Sequence, residues 1–171
     1  MQKMRWNVER SKKEDCMAIA EFITITWNET YRGIVNDAFL DDLKNTEEKR
    51  YINAINNFDE KFNMQYIIKK DNKIIAYLKL SKIKDDEYKE YIELQSLYVL
   101  KEYQKNGIGK ELIQKAFNEA KKAGYKKMII GCLEENKSNG FYKKMGGKFV
   151  KKRKFKLPNQ TLYENVYVYN L

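Results

Sequence analysis

The stretch Leu94–Glu111, LQSLYVLKEYQKNGIGKE, constrains the fold more than any other part of the chain. It reads as the end of a strand, a short polar loop with two glycines, and the start of a helix. Gly107 and Gly109 fall where that helix begins. The first N–H groups of a helix have no intrahelical acceptor, and glycine lets the backbone come close to an anion. A basic loop without side-chain bulk at that place suits a pyrophosphate.

Two common phosphate loops are excluded. A Walker A loop needs Gly, four residues, then Gly-Lys-Ser/Thr. Gly109-Lys110 ends that pattern, but Gln104 stands at its first glycine and Glu111 replaces the Mg²⁺-binding hydroxyl. A dinucleotide fingerprint needs a third glycine three residues after the second. Lys110, Glu111 and Leu112 follow Gly109, so that glycine is missing.

The flanking segments extend the pattern. Glu90–Val99 is rich in β-branched and aromatic residues and predicts a strand. Its apolar residues change parity, with Ile92 and Leu94 even and Leu97 and Val99 odd. Either a β-bulge near Gln95–Ser96 turns the strand over, or the strand is buried on both faces. Ile108, Leu112, Ala116 and Ala120, with Ile113, Phe117 and Ala123, predict an amphipathic helix that stops at Gly124. A short apolar strand, Lys127–Cys132, and a helix from about Lys137 to Met145 follow, with Asn136 and Ser138 as candidate caps.

Upstream, Arg5–Arg10 reads as a first strand, and Ala18, Ile19, Phe22 and Ile23 mark a helix over Glu14–Trp27. A second helical region carries Phe39, Leu40, Leu43, Tyr51, Ile52 and Ile55. Gln65–Lys70 and Lys73–Ile83 form a hairpin about Asp71-Asn72. Two strands near Lys148–Leu157 and Tyr163–Asn170, joined at Pro158-Asn159, close the chain. The order β-α-α-β-β-β-α-β-α-β-β is an α/β plan. With 171 residues and no Pro- or Ser-rich linker, one domain spanning 1–171 is expected. No apolar run approaches the ~18 residues of a membrane span. The first residues lack the apolar stretch of a secretory signal, and Cys16 and Cys132 lack metal or redox spacing. A cytoplasmic, metal-free protein is the expectation. The chain has no histidine, so acid and base work falls to Glu, Asp, Tyr, Lys, Cys or water.

Gln104-Lys105-Asn106-Gly107-Ile108-Gly109 resembles the acyl-CoA loop of the GNAT superfamily of N-acetyltransferases, written Q/R-x-x-G-x-G/A. Asn136 followed by Phe141-Tyr142 and Gly146 resembles the second signature of that superfamily. Two departures stand out: Gly147 lies where an aromatic often follows the glycine, and Asn139 where a basic or small residue is common. Trp27…Tyr31-Arg32-Gly33 is similar to a stretch of small acetyltransferases that covers the acceptor pocket. The element order also fits the GNAT fold, so the resemblance spans nearly the whole chain.

That resemblance implies a mixed, mostly antiparallel sheet of about seven strands flanked by about four helices and splayed at the fourth strand. It implies acetyl-CoA as co-substrate, with Gln104, Lys105, Asn106, Gly107, Ile108, Gly109 and Lys110 around its pyrophosphate. The backbone of Leu97, Tyr98 and Val99 would bond the pantetheine arm and the thioester oxygen. Asn136 would bond the pantetheine amides, helix capping being its other reading. Tyr142 would serve the leaving thiolate, and Trp27 and Tyr31 would line the acceptor side or simply cap the core. An acceptor amine with a pKa near ~10 must lose a proton before attack. Glu93, on the fourth strand and opposed to Ile92 and Leu94, is the candidate base, with a salt-bridged surface role as its alternative. Cys132 reads as a buried thiol rather than a nucleophile.

Three functions follow. The first is acetyl transfer from acetyl-CoA to a primary amine of a small molecule by direct attack in a ternary complex. The second is the same chemistry on a protein N-terminus or lysine. The third is a non-catalytic CoA- or RNA-binding module. The net charge of +10 is spread along the chain, densest at Lys151-Lys152-Arg153-Lys154. A solvated face, attraction of anionic CoA and RNA contact are its readings, in that order. The expected partners are acetyl-CoA and a small amine, without nucleic acid or membrane; a homodimer stays open.

Overall fold

The computed structural model describes residues 6–83 and 88–171. The elements are β1 (Glu9–Arg10), α1 (Cys16–Tyr31), α2 (Asp37–Asp42), α3 (Glu47–Asn56), β2 (Gln65–Lys70), β3 (Lys73–Lys82), β4 (Tyr91–Val99), α4 (Ile108–Lys122), β5 (Lys127–Leu133), α5 (Asn139–Lys144), β6 (Lys148–Leu157) and β7 (Gln160–Asn170). The strands form a seven-stranded sheet in the order β1-β2-β3-β4-β5-β7-β6. β4 and β5 pair in parallel and every other neighbouring pair is antiparallel. Arg5, the expected start of the first strand, lies outside the described residues.

The β2–β3 hairpin turns at Asp71 (φ 49°) and Asn72 (φ 62°), the two left-handed positions that a tight hairpin turn requires. One core lies between the sheet and α4 with α5. There Ile108, Leu112, Ile113, Ala116 and Ala120 meet Ile75, Leu78, Ile92, Leu94, Met128 and Ile130. On the other face α1 buries Ile19 and Phe22 on Ile67, Ile74 and Tyr77. The expected second helical region resolves into α2 and α3, joined by a 3-10 turn over Leu43–Thr46. Arg50 of α3 ties this layer together through the Ala20 carbonyl (2.9 Å), the Thr24 hydroxyl (2.6 Å) and the Leu43 carbonyl (3.1 Å).

The parity break in β4 is a bulge. Lys79 pairs with Ser96 and Leu80 with Leu94, leaving Gln95 unmatched. Ile92 and Leu94 before it, and Leu97 and Val99 after it, all join the core on the α4 side. One extra residue thus keeps the apolar set on one face while Gln95 is exposed. β6 is an edge strand, and Lys148, Lys151, Lys152, Lys154 and Lys156 are exposed on it. Lysines on an edge discourage pairing with another chain, which accounts for most of the basic run. Among the described residues, no helix is long and apolar enough to cross a membrane.

One buried carboxylate makes stability depend on acid. Burial alone would raise the Glu119 carboxyl, but hydrogen bonds from Lys115 (2.9 Å), Lys122 (3.1 Å) and Tyr66 (3.0 Å) outweigh it and hold it at about 2. A carboxyl lowered by folding stabilises above its unfolded value, and that contribution is lost as pH falls through the folded value. The melting temperature is therefore expected to fall between about pH 4 and pH 2. In thermal melts, the gap between wild type and Glu119→Gln narrows over the same window; a gap independent of pH contradicts this assignment.

Candidate active site

β4 and β5 pair only from Tyr91 to Glu93, opposite Lys127 to Ile129. Beyond Glu93 the strands part, while β4 stays with β3 as far as Val99. The Leu100 amide donates to the Ile75 carbonyl (3.0 Å). Alternation along an antiparallel pair then places Tyr98 opposite Tyr77 in a hydrogen-bonded pair, and directs the amides of Leu97 and Val99 into the opening. This corrects one expectation: the Tyr98 backbone belongs to β3, and Tyr98 contributes its side chain instead. Its phenol lies 3.2 Å from the Tyr31 hydroxyl.

The polar loop leads from this opening to α4. Lys105 (φ 62°) and Gly107 (φ 84°) are left-handed, and Gly107 is the N-cap of α4. The Glu111 amide already donates to the Gly107 carbonyl (3.1 Å), so Ile108, Gly109 and Lys110 open the helix with first-turn amides. Space in front of Gly107 is clear to 4 Å. The side chains of Gln104 and Asn106 work within the loop. Gln104 donates to the Val99 carbonyl (3.0 Å), and Asn106 to the carbonyls of Tyr103 and Gln104 (3.3 Å each). Lys105 and Lys110 are exposed. A β-carbon placed on Gly109 would sit 3.4 Å from the Phe141 ring, so the glycine loop and the Phe-Tyr helix pack directly on each other.

α5 starts two residues later than expected because asparagine side chains take up the backbone before it. Asn136 Oδ1 accepts from the amide of Ser138, the N-cap of α5 (2.8 Å), which closes an Asx turn ahead of the helix rather than capping its first turn, and its Nδ2 makes no bond among the described residues. Asn139, one of the two departures from the family pattern, clasps three segments. Its Nδ2 donates to the carbonyls of Leu133 (2.9 Å) and Asn136 (2.7 Å), and its Oδ1 accepts from Asn165 (3.0 Å) and Tyr167 (2.7 Å). The second departure has a steric cause. The Tyr142 carbonyl accepts from the Tyr169 hydroxyl (2.8 Å) and the Gly147 amide (3.0 Å). A β-carbon on residue 147 would lie 2.8 Å from that carbonyl and 2.9 Å from the Tyr169 oxygen.

Tyr142 is thus held by its backbone and by its stacked neighbour Tyr167. Its own hydroxyl has no partner among the described residues, where no fully buried side-chain N or O lacks one. The hydroxyl therefore reaches accessible space. Burial, then the nearby Cys132 and Tyr98, raise its pKa well above the usual value, so it keeps its proton throughout the working range. Burial, together with the Glu164 charge, pushes the Cys132 thiol up to about 12, which removes it as a nucleophile at neutral pH.

On the α1 side of the opening, Trp27 packs edge-on to Tyr31 at 4.7 Å between ring centroids. Tyr31 is buried with Val35, Leu40 and Leu133, and Trp27 is half-buried beside them. Core packing and a wall of the opening are one surface here. Arg32 and Gly33 stand outside it. Arg32 binds Asp37 (3.0 Å), Asn28 and Asp41 (both 2.5 Å), which fixes α2 against the end of α1.

Glu93 is on the α1 face as its parity requires, but it is not alone. Its carboxylate accepts from Arg153 (2.9 Å), whose Nε also donates to Glu164 (2.5 Å). The ion-paired alternative therefore describes Glu93. Arg153 is the member of the basic run that turns inward, and Glu164 is buried.

The profile of the Acetyltransferase (GNAT) family matches residues 20–147, more than half of the chain. The chain belongs to the GNAT family. An uncharacterized N-acetyltransferase of Bacillus subtilis, YuaI, is 24% identical over 163 residues, covering 92% of this chain and 88% of that protein. The PaiA N-acetyltransferase of Thermoplasma acidophilum, solved in complex with coenzyme A, superposes with a TM-score of 0.75 at 21% identity, covering 98% of this chain and 100% of that one. YncA of Salmonella typhimurium, a putative acetyltransferase solved with acetyl-CoA, superposes with a TM-score of 0.67 at 18% identity, over 97% and 94%. The mixed seven-stranded sheet parting at β4 is the GNAT fold.

Two members of this GNAT site escape a motif reading. Asn139, the first residue of α5, reads only as a departure, because the partners it clasps on β5 and β7 come together only in the fold. Glu164 carries a period-two signal, since Leu162, Glu164, Val166 and Val168 share one face of β7. A lone glutamate among inward apolar residues marks a buried charge that needs a reason.

Proposed function

We propose that the protein transfers an acetyl group from acetyl-CoA to the primary amine of a small molecule, by direct attack in a ternary complex. The observation that carries this is the opening between β4 and β5, with the amides of Leu97 and Val99 turned into it and the Gly107-capped end of α4 beyond its mouth. The complexes of PaiA with coenzyme A and of YncA with acetyl-CoA, which share the fold, support the same ligand.

Acetyl-CoA supplies an activated acetyl group on a thioester. The amides of Ile108, Gly109 and Lys110, with Lys105 and Lys110 as exposed cations, suit its pyrophosphate. Leu97 and Val99 offer donors to the pantetheine arm, and Asn136 Nδ2 offers another from the facing side. The Val99 amide is placed for the charge that grows on the carbonyl oxygen during attack; one such donor is worth roughly 3–4 kcal/mol in analogous sites. Tyr142 gives a proton to the departing sulfur. The carboxylate pair bridged by Arg153, Glu93 and Glu164, lies on the acceptor side, where one of the two takes up the proton of the amine. Trp27 and Tyr31 cover that side, which suits a small amine better than a protein segment.

The test is release of CoA thiol from acetyl-CoA against spermidine, lysine, kanamycin, tyramine and an alanyl peptide. Turnover of a small amine well above that of the peptide is expected. Turnover of the peptide alone contradicts the acceptor class, and CoA binding without any turnover contradicts the reaction.

A further inference from the structure

The Glu164 carboxylate fills the space that a side chain on Gly131 would take. A β-carbon built on Gly131 would lie 2.4 Å from Glu164 Cδ and 2.4 and 2.7 Å from its two carboxylate oxygens. Gly131 is the second residue of β5 past Ile129, which makes the last pair with Glu93 before the strands part. The Glu164 carboxylate therefore stands over β5 just where the opening begins, on the α1 face. Leu133, its partner across β5 and β7, packs with Tyr31 and Tyr98. Glu164 is 7% exposed, and Arg153 Nε at 2.5 Å is its hydrogen-bond partner. Arg153 in turn holds Glu93 at 2.9 Å. Two carboxylates and one guanidinium leave one negative charge facing the acceptor side. A buried charge of that kind costs stability unless it serves a cation or a proton.

We propose that Glu164 receives the ammonium group of the acceptor and is the base that takes its proton, with Arg153 and Glu93 positioning it. This rests on the acetyltransferase reading and names the residue that selects its substrates: primary amines that arrive as cations. The ammonium gives one proton to Glu164. The amine nitrogen forms a C–N bond to the acetyl carbon as the C–S bond breaks. The nitrogen then loses a second proton to water, and the sulfur takes one from Tyr142, which recovers it from water. The proton on Glu164 returns to solvent, so the products are the acetamide, CoA thiol and one released proton.

The surroundings set the pH at which this works. Burial raises the Glu164 carboxyl, the Arg153 guanidinium of β6 opposes that rise, and Glu93 of β4 reinforces it. Tyr98 of β4 and Cys132 of β5 also feel the Glu164 charge and are themselves protonated at neutral pH. A carboxyl raised in this way is a stronger base than an ordinary surface glutamate.

The experiment compares wild type, Glu164→Gln and Gly131→Ala with whichever amine of the five is turned over fastest. It reads kcat against pH, CoA affinity, and affinity of that amine for the CoA-saturated protein. Glu164→Gln is expected to lower kcat at least ~100-fold, the scale of general base catalysis, and to abolish the acidic limb of the profile. It also weakens amine binding to the CoA-saturated protein while CoA affinity holds. Gly131→Ala keeps the carboxylate but displaces it, and is expected to lower kcat at least ~10-fold with CoA affinity unchanged. This variant decides the matter if Glu164→Gln does not melt cooperatively. Wild-type rates and an unaltered acidic limb in the folded variants overturn the role of Glu164 and leave acetyl transfer standing. CoA binding by wild type with no amine turned over overturns acetyl transfer and this role with it.

Discussion

Replacing Gly107 with glutamate is expected to abolish CoA binding. Gly107 has φ 84°, a left-handed value that costs an L-residue about 1–2 kcal/mol, and nothing stands within 4 Å of the place its side chain would take. The β-carbon of a glutamate there meets nothing within 4 Å, and the carboxylate beyond it adds a negative charge beside the proposed pyrophosphate site. Near a surface, two like charges 4 Å apart repel by about 4 kcal/mol before salt screening. Strain and repulsion together exceed the ~2.7 kcal/mol of a 100-fold loss, so calorimetric affinity for CoA falls at least ~100-fold. Gly107→Ala separates the two causes, since it carries the strain without the charge and loses less. The Gly107 loop is exposed, so both variants retain a cooperative melt near the wild-type temperature. Wild-type affinity in Gly107→Glu removes the loop from the binding site.

Tyr142→Phe is expected to leave binding alone and to slow the reaction. The ring stays stacked on Tyr167, and the carbonyl keeps its bonds to Tyr169 and Gly147. The hydroxyl has no partner to lose among the described residues, so the melting temperature changes little. What disappears is the proposed proton donor for the departing sulfur. Loss of a positioned acid costs about 100-fold or more in kcat. CoA affinity is expected to stay within about fivefold, because no more than ~1 kcal/mol of ground-state binding passes through one hydroxyl. A drop in kcat with affinity held separates this role from packing, which would move the melt. An unchanged kcat with the fastest amine takes Tyr142 out of the mechanism.

Much of this arrangement is legible from local residues. The β4 bulge is written in four apolar positions whose parity shifts by one, and the structure finds the extra residue at Gln95. Asp71-Asn72 announces the hairpin because few residue pairs accept two left-handed positions. The Gly107 loop shows itself because a helix N-cap with positive φ needs glycine. The failures are of another kind. Which amides of Leu97, Tyr98 and Val99 face the opening depends on the register with β3, and that register is fixed across the hairpin rather than within β4. Glu93 points to the expected face, yet its bond to Arg153 spans sixty residues and two further strands. Arg153 looks like its lysine neighbours until β6 pairs with β7 and turns it inward while they guard the edge. Glu164 and Gly131 form a site only because β5 and β7 lie side by side. Side chains joined by tertiary register leave no motif, and the proposed acceptor side is built from them.

The central claim is that the donor lies in the opening between β4 and β5. Backbone amide NMR of the uniformly ¹⁵N-labelled protein titrated with CoA tests it most directly. The largest shifts are expected at Leu97, Val99, Ile108, Gly109 and Lys110, with Tyr98, whose amide is committed to β3, moving less than its two neighbours. Shifts gathered instead along the lysine-bearing edge of β6, with Leu97, Val99 and the first turn of α4 unmoved, would contradict it.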